Sequence, residues 1–232
     1  MRIMRMSKKV SRAVVVPTIA LSALAMGSAV AFAASSYNVT AGSAPTSPPD
    51  VNYTATTTGP SPQVTFTDTT AGTVLNCASA SAAGTVTVGT NLSGTGIGTV
   101  DGPGTGWNEC NGPAGLTLTH TGVGSWGLDA TGDTVGGVTP VSISGVNLHV
   151  SDPGGGCDFD YTGSIDGSYT NGSSNGTLTL PGTSSTLTIS NVSGLFCGSV
   201  GIQNGHSASF QATYQVAADN GAYNPIQITS NP

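Results

Sequence analysis

Apolar residues alternate with threonine in stretch after stretch of this chain. Val64 and Phe66 alternate with Thr65 and Thr67, Val86 and Val88 with Thr85 and Thr87, Leu116 and Leu118 with Thr117 and Thr119. The pattern returns where Leu178 and Leu180 alternate with Thr177 and Thr179, and again where Leu187 and Ile189 alternate with Thr186 and Thr188. Successive side chains of a strand point to opposite faces, so each run offers one apolar face for a core and one hydroxyl face for water. A helix would need a period of 3.6, and no segment beyond the first 33 residues shows it convincingly. Further strands are predicted at 51–57, 73–77, 125–130, 141–150, 158–166, 208–217 and 226–229. Turn formers separate them: Asn111-Gly112, Asp152-Pro153-Gly154, Asn171-Gly172, Asn175-Gly176, Pro181-Gly182 and Asn204-Gly205. Many short strands at close spacing predict an all-β fold, an antiparallel β-sandwich or barrel with Greek-key-like connections.

Charge narrows the setting. All five Lys and Arg lie within the first twelve residues, at Arg2, Arg5, Lys8, Lys9 and Arg12. The apolar run 13–33 follows and ends in Ala31-Phe32-Ala33. A basic start, an apolar stretch and small residues before a cut make a secretory signal peptide over residues 1–33. The run is also long enough for a membrane anchor; Pro17, the many small residues and the A-x-A site favour cleavage. The chain beyond it carries all eleven Asp and Glu and no Lys or Arg. Such a chain is repelled by nucleic acid and by anionic lipid and lacks the cationic groups that usually hold phosphate. Nucleic-acid, nucleotide and membrane partners are therefore not expected once the signal is cleaved, and the chain reads as secreted.

Export gives the cysteines their meaning. Cys77, Cys110, Cys157 and Cys197 are even in number and contain no C-x-x-C pair, so they read as disulfides, with three possible connectivities. Sequential pairing, Cys77–Cys110 and Cys157–Cys197, is expected. Residues 34–50 are rich in Ser, Pro and Ala and read as a flexible lead-in. Residues 51–232 read as a single β-sandwich-like domain. A faint repeat divides it into possible halves, 51–136 and 137–232: Cys77, Gly84-Thr85-Val86 and Asn91 in one, and Cys157, Gly163-Ser164-Ile165 and Asn171 in the other.

The stretches Val64–Cys77, Asn91–Gly98, Glu109–Pro113 and Gly115–Leu118 resemble those of small secreted β-rich proteins of high-GC Gram-positive bacteria. The resemblance covers most of residues 60–215. It implies export and a β-fold, and it brings no catalytic residue and no ligand.

Candidate chemistry is sparse. No G-x-S-x-G elbow, P-loop, H-E-x-x-H or EF-hand pattern is present. His120, His149 and His206 are isolated in sequence, and a shared metal site would need the fold to gather them. Asp158 and Asp160 flank Phe159, so on a strand both point the same way, with Asp152 before them and Asp166 after. Without Lys or Arg nearby, clustered aspartates must be hydrated, bonded to backbone N–H groups, or bound to a cation, for which calcium is the candidate. The same pair could serve a secreted hydrolase as acid and base. Trp107, in Gly106-Trp107-Asn108 beside Cys110, is the candidate platform for a glycan, with Tyr161 and Tyr169 as further surface aromatics; Trp126 is expected in the core. The leading expectation is a non-enzymatic extracellular or cell-surface protein with a structural or interaction role, its partner a protein or a glycan.

Overall fold

Seventeen strands and three single 3-10 turns make up the regular structure of residues 36–43 and 50–231, which the computed structural model describes. The signal segment and most of the lead-in lie outside those residues. The strands are β1 (Ser36–Ala41), β2 (Asp50–Thr57), β3 (Val64–Asp68), β4 (Thr73–Cys77), β5 (Ser79–Thr87), β6 (Gly89–Leu92), β7 (Gly98–Asp101), β8 (Gly106–Asn108) and β9 (Cys110–Asn111). They continue with β10 (Thr117–Gly122), β11 (Ser125–Ala130), β12 (Val138–Ser151), β13 (Asp158–Thr170), β14 (Gly176–Pro181), β15 (Leu187–Ser193), β16 (Ser207–Ala218) and β17 (Ile226–Asn231).

Several of these are pieces of one longer strand. Thr57 at the end of β2 pairs with Tyr214, and Val64 at the start of β3 pairs with Ala212, so both pieces run along the same edge of β16. In the same way β4 continues into β5, β7 into β8 and β9, β10 into β11, and β14 into β15. With β12, β13 and β16 this gives eight long staves. Each pairs antiparallel with the next in chain order, and the eighth, β16, pairs with the first, β2–β3. The sheet closes on itself as an up-and-down barrel. Of the two architectures expected, the pairing selects the barrel, and its path is a meander where a Greek-key-like one was expected. The turn signals explain this: they lie between strands that are neighbours, and short connections join neighbours.

Alternation decides what faces the lumen. Along β2 Val51, Tyr53 and Ala55 are buried while Asn52, Thr54 and Thr56 are exposed; along β16 Ala208, Phe210, Ala212, Tyr214 and Val216 point inward. Phe66 sits in the middle of the filling, its ring stacked on Tyr161 at 5.0 Å and tilted against Phe210 at 4.7 Å. Trp126 is buried as expected.

One end of the barrel is capped by a separate three-stranded sheet in the order β17–β1–β6. Its apolar side chains Tyr37, Val39, Ile226 and Ile228 are buried, and polar ties fasten it to the staves. Tyr37 donates to the Gly132 carbonyl at 3.0 Å, Tyr169 to the Ile226 carbonyl at 2.8 Å, and Thr139 to the Ile228 carbonyl at 3.1 Å. Part of the expected flexible lead-in is thus a strand. Tyr37, Val39 and Ala41 carry the same period-two signal as the staves, hidden there by Ser and Ala neighbours.

Both disulfides are formed in the expected pairing, Cys77–Cys110 and Cys157–Cys197, toward the other end. Because the first and last staves pair, the two halves share one wall, and the described residues fall in one compact unit. No helix among them is long and apolar enough to cross a membrane.

Candidate functional site

Three features could carry function: the lumen, the outer face of β12–β13, and the loop clamped by Cys157–Cys197. The lumen keeps a cavity of about 50 Å³ whose lining draws on all eight staves. Trp107 belongs to this lining. It was expected to stand on a loop as a sugar platform; instead it lies on β8, half-buried and turned inward. Its ring meets Phe66 at 5.6 Å and His120 at 5.5 Å, and its indole N–H donates to Thr105 Oγ1 at 3.1 Å. Tyr161 and Tyr169 are also interior residues. Parity gives the reason: if Asp158 and Asp160 point out, then Phe159 and Tyr161 must point in.

The five buried tyrosines differ in one respect. Tyr37, Tyr53 and Tyr169 each donate to a backbone carbonyl, Tyr53 to that of Thr99 at 2.9 Å. Tyr161 and Tyr214 line the cavity, and their hydroxyls make no hydrogen bond to another described residue. Burial pushes both phenols well above the ordinary tyrosine range, with the Asp68 charge a second cause at Tyr161, so both remain protonated donors.

His120 projects into the same filling, stacked on Phe66 at 5.3 Å. Neither ring nitrogen has a hydrogen-bond partner of good geometry. Burial pulls its pKa down to about 4, opposed weakly by the Leu118 backbone, and the ring is neutral at pH 7. One of its nitrogens lies within 4.8 Å of the Cys77 and Cys110 sulfurs, the one such donor grouping among the described residues, and there the two sulfurs are bonded to each other.

On the outer face the structure gives Asp158 and Asp160 a shared partner. The strand register sets His149 directly opposite Asp160. His149 Nδ1 lies 2.7 Å from Asp160 Oδ1, and its Nε2 lies 3.4 Å from Asp158 Oδ2. Asn191 Nδ2 donates to the other Asp160 oxygen at 2.7 Å. The carboxylates hold an imidazole between them. The other candidates are equally engaged: Asp152 accepts from the Gly154 and Gly156 N–H groups of its own turn, and Asp166 accepts from Ser142. The missing partner was a histidine nine residues upstream of Asp158, which only the β12–β13 pairing brings alongside. The three histidines do not converge. His206 serves Asp68 instead, with Nδ1 2.7 Å from Oδ2, while Asp68 Oδ1 accepts from the Thr70 and Ala71 N–H groups. Asp68 is only 1% exposed, and this pair fastens the first stave to the eighth.

The third feature was not legible in sequence. Residues 194–206 connect β15 to β16 across the disulfide-bearing end. Gly194, at φ +97°, turns the chain where a side chain would strike the Gly156 backbone. Phe196 N–H then donates to the Gly156 carbonyl at 2.8 Å, Cys197 bonds Cys157, Ile202 is buried, and Thr73 donates to the Val200 carbonyl at 2.7 Å. The loop is tied along its length, yet Leu195 is 94% and Phe196 58% exposed. Comparison with known protein families, characterised proteins and solved structures gives no match to this chain.

Proposed function

We propose that the protein is secreted and non-enzymatic, a rigid barrel that recognises an extracellular protein through the 194–206 loop. The observation that carries this reading is the pair Leu195 and Phe196, held in water by a loop that a disulfide and several hydrogen bonds keep ordered. An exposed leucine on a mobile tail would mean little. A neighbouring leucine and phenylalanine on a clamped loop present a fixed apolar surface of the kind that anchors protein interfaces. The signal-peptide pattern and the two disulfides support export. The engagement of Asp158, Asp160, Asp152 and Asp166 in structural hydrogen bonds supports a role without catalysis. Apolar contact favours a protein over a glycan, because Trp107 turns its ring inward against Phe66 and His120.

The test is capture of envelope and extracellular proteins from the producing organism on immobilised barrel. Wild type should retain a specific protein. The double variant Leu195→Ser/Phe196→Ser should lose it by roughly ten-fold or more in affinity. Val135→Ser, which alters an exposed apolar residue away from this loop, should leave capture unchanged. Equal capture by wild type and the double variant would overturn the loop as the contact surface. Turnover of a glycoside that Asp160→Asn abolishes would overturn the non-enzymatic reading.

A further inference from the structure

The barrel lumen makes an independent case. We infer that its cavity is a binding site for a molecule of about four or five heavy atoms, largely apolar and carrying one hydrogen-bond acceptor, which the hydroxyls of Tyr161 and Tyr214 recognise. Short ketones and ethers are the chemical class.

Size sets the first limit. The cavity measures about 50 Å³, and since one water needs roughly 10–15 Å³ in this measure, there is room for about four non-hydrogen atoms. A benzene-sized ring needs a cavity of roughly 150 Å³ and is too large without rearrangement. Lining sets the second. Apart from the Ser81 and Thr105 hydroxyls and the polar atoms of the aromatic residues, the walls are apolar, Val100, Ile143, Leu148 and Leu180 among them, so a strongly polar or charged guest would lose its hydration with little in return. The unpaired phenols set the third. Tyr161 is 1% and Tyr214 5% exposed, both line the cavity, and neither hydroxyl bonds another described residue, while the buried nitrogens left without a partner among the described residues belong to His120 alone. In the same barrel Tyr37, Tyr53 and Tyr169 each reach a carbonyl, so unpaired hydroxyls are not the general condition of its tyrosines. Two donors that no other described residue engages, in a lining that also holds Ser81, fit a guest that carries an acceptor.

The backbone pairing of the wall lapses at one place. Backbone pairing joins the third and fourth staves at β7–β11 and β9–β10, while β8 between them pairs only with β5 on its other side. Thr105 and Trp107, both half-buried and both in the cavity lining, stand at this lapse in the wall.

Acetone and isobutene test the inference, because they match in size and shape and differ in the acceptor; xenon reports the cavity itself. Binding is followed by NMR shift changes of lumen methyl groups, in wild type and in Tyr161→Phe/Tyr214→Phe. Wild type should bind all three, and the double variant should bind acetone at least ten-fold more weakly while xenon and isobutene bind as before. Equal acetone binding in both proteins would overturn the tyrosine roles. Failure of wild type to take up xenon would overturn the cavity as a site, as would ordered water in the lumen that acetone does not displace. Should the double variant fail to fold, Ala82→Leu, which fills the cavity from β5, should abolish binding of all three probes; unchanged binding would refute the site. Loss or survival of partner capture by the 194–206 loop bears on none of these outcomes.

Discussion

The two halves of the barrel use the same device for different ends. Each lays down four staves, and each links the start of its second stave to the end of its third by a disulfide. In the first half Cys77 and Cys110 lie within β4 and β9, with Cα atoms 4.0 Å apart, and the bond is part of the wall. In the second half Cys157 and Cys197 lie just outside β13 and β15, and the bond holds a loop that carries Leu195 and Phe196 into water. One staple braces a wall; the other fixes a projection. The faint sequence repeat falls on matching places. Gly84 is on the second stave and Gly163 on the sixth, and a side chain at either would strike a backbone carbonyl on the following stave, that of Thr99 or Thr186. Position in the fold is shared, and what is attached to it has diverged.

Removing the staples should produce the largest effects. The loops they close span 33 and 40 residues, so restriction of the unfolded chain is worth about 4 kcal/mol for each, nearly the same. Cys77→Ala/Cys110→Ala and Cys157→Ala/Cys197→Ala should therefore lose similar stability in denaturant. They should part in hydrogen exchange and partner capture: only the second should expose the amides of 194–206 and weaken capture. Equal exchange in that loop for both variants would break the distinction between wall brace and loop clamp.

A somewhat smaller effect belongs to the first half alone. His120 has a pKa of about 4 in the folded protein against an ordinary 6.5, because it is buried without a partner. The folded state then binds fewer protons than the unfolded chain, so this histidine's contribution is intact above pH 6.5 and is lost as pH falls from 6.5 toward 4. The loss approaches roughly 3 kcal/mol below that range. His120→Phe should flatten the stability curve there, measured by denaturation between pH 7 and 4. An unchanged slope would show that the imbalance in protons lies elsewhere. Smallest are the glycines. Gly84→Ala and Gly163→Ala should each cost about 2 kcal/mol by forcing adjacent staves apart. Tolerance at one and not the other would end the equivalence of the halves at that position.

How much of this was legible in sequence follows from what each property depends on. Strands at 73–77 and 125–130 match the structure residue for residue, because inward and outward side chains alternate there without interruption. Disulfide pairing followed from order along the chain. Strands β7 and β8 were missed, since Gly98, Gly106 and Trp107 carry no alternating pattern and are held by pairing to β5. The site was harder to read because it depends on register. Which residue faces Asp160 depends on how β12 lies against β13, and that put His149 beside both aspartates. Trp107 and Tyr161 carried the right chemistry and were assigned the wrong face. Leu195 and Phe196 read as any apolar pair in sequence, and only the fold places them in water between Gly194 and the Cys157–Cys197 bond.

The central claim is that the halves close into one barrel through the pairing of the first stave with the eighth. In the register described, Phe66 lies opposite Phe210, with Thr65 and Thr67 opposite Gln211 and Ser209. Cross-strand nuclear Overhauser contacts between backbone protons of residues 64–68 and 208–212 test this directly. Contacts in that antiparallel register, with a single cooperative melt for both halves, are the expected result. Their absence, or two separate melts for the halves, would contradict a closed barrel.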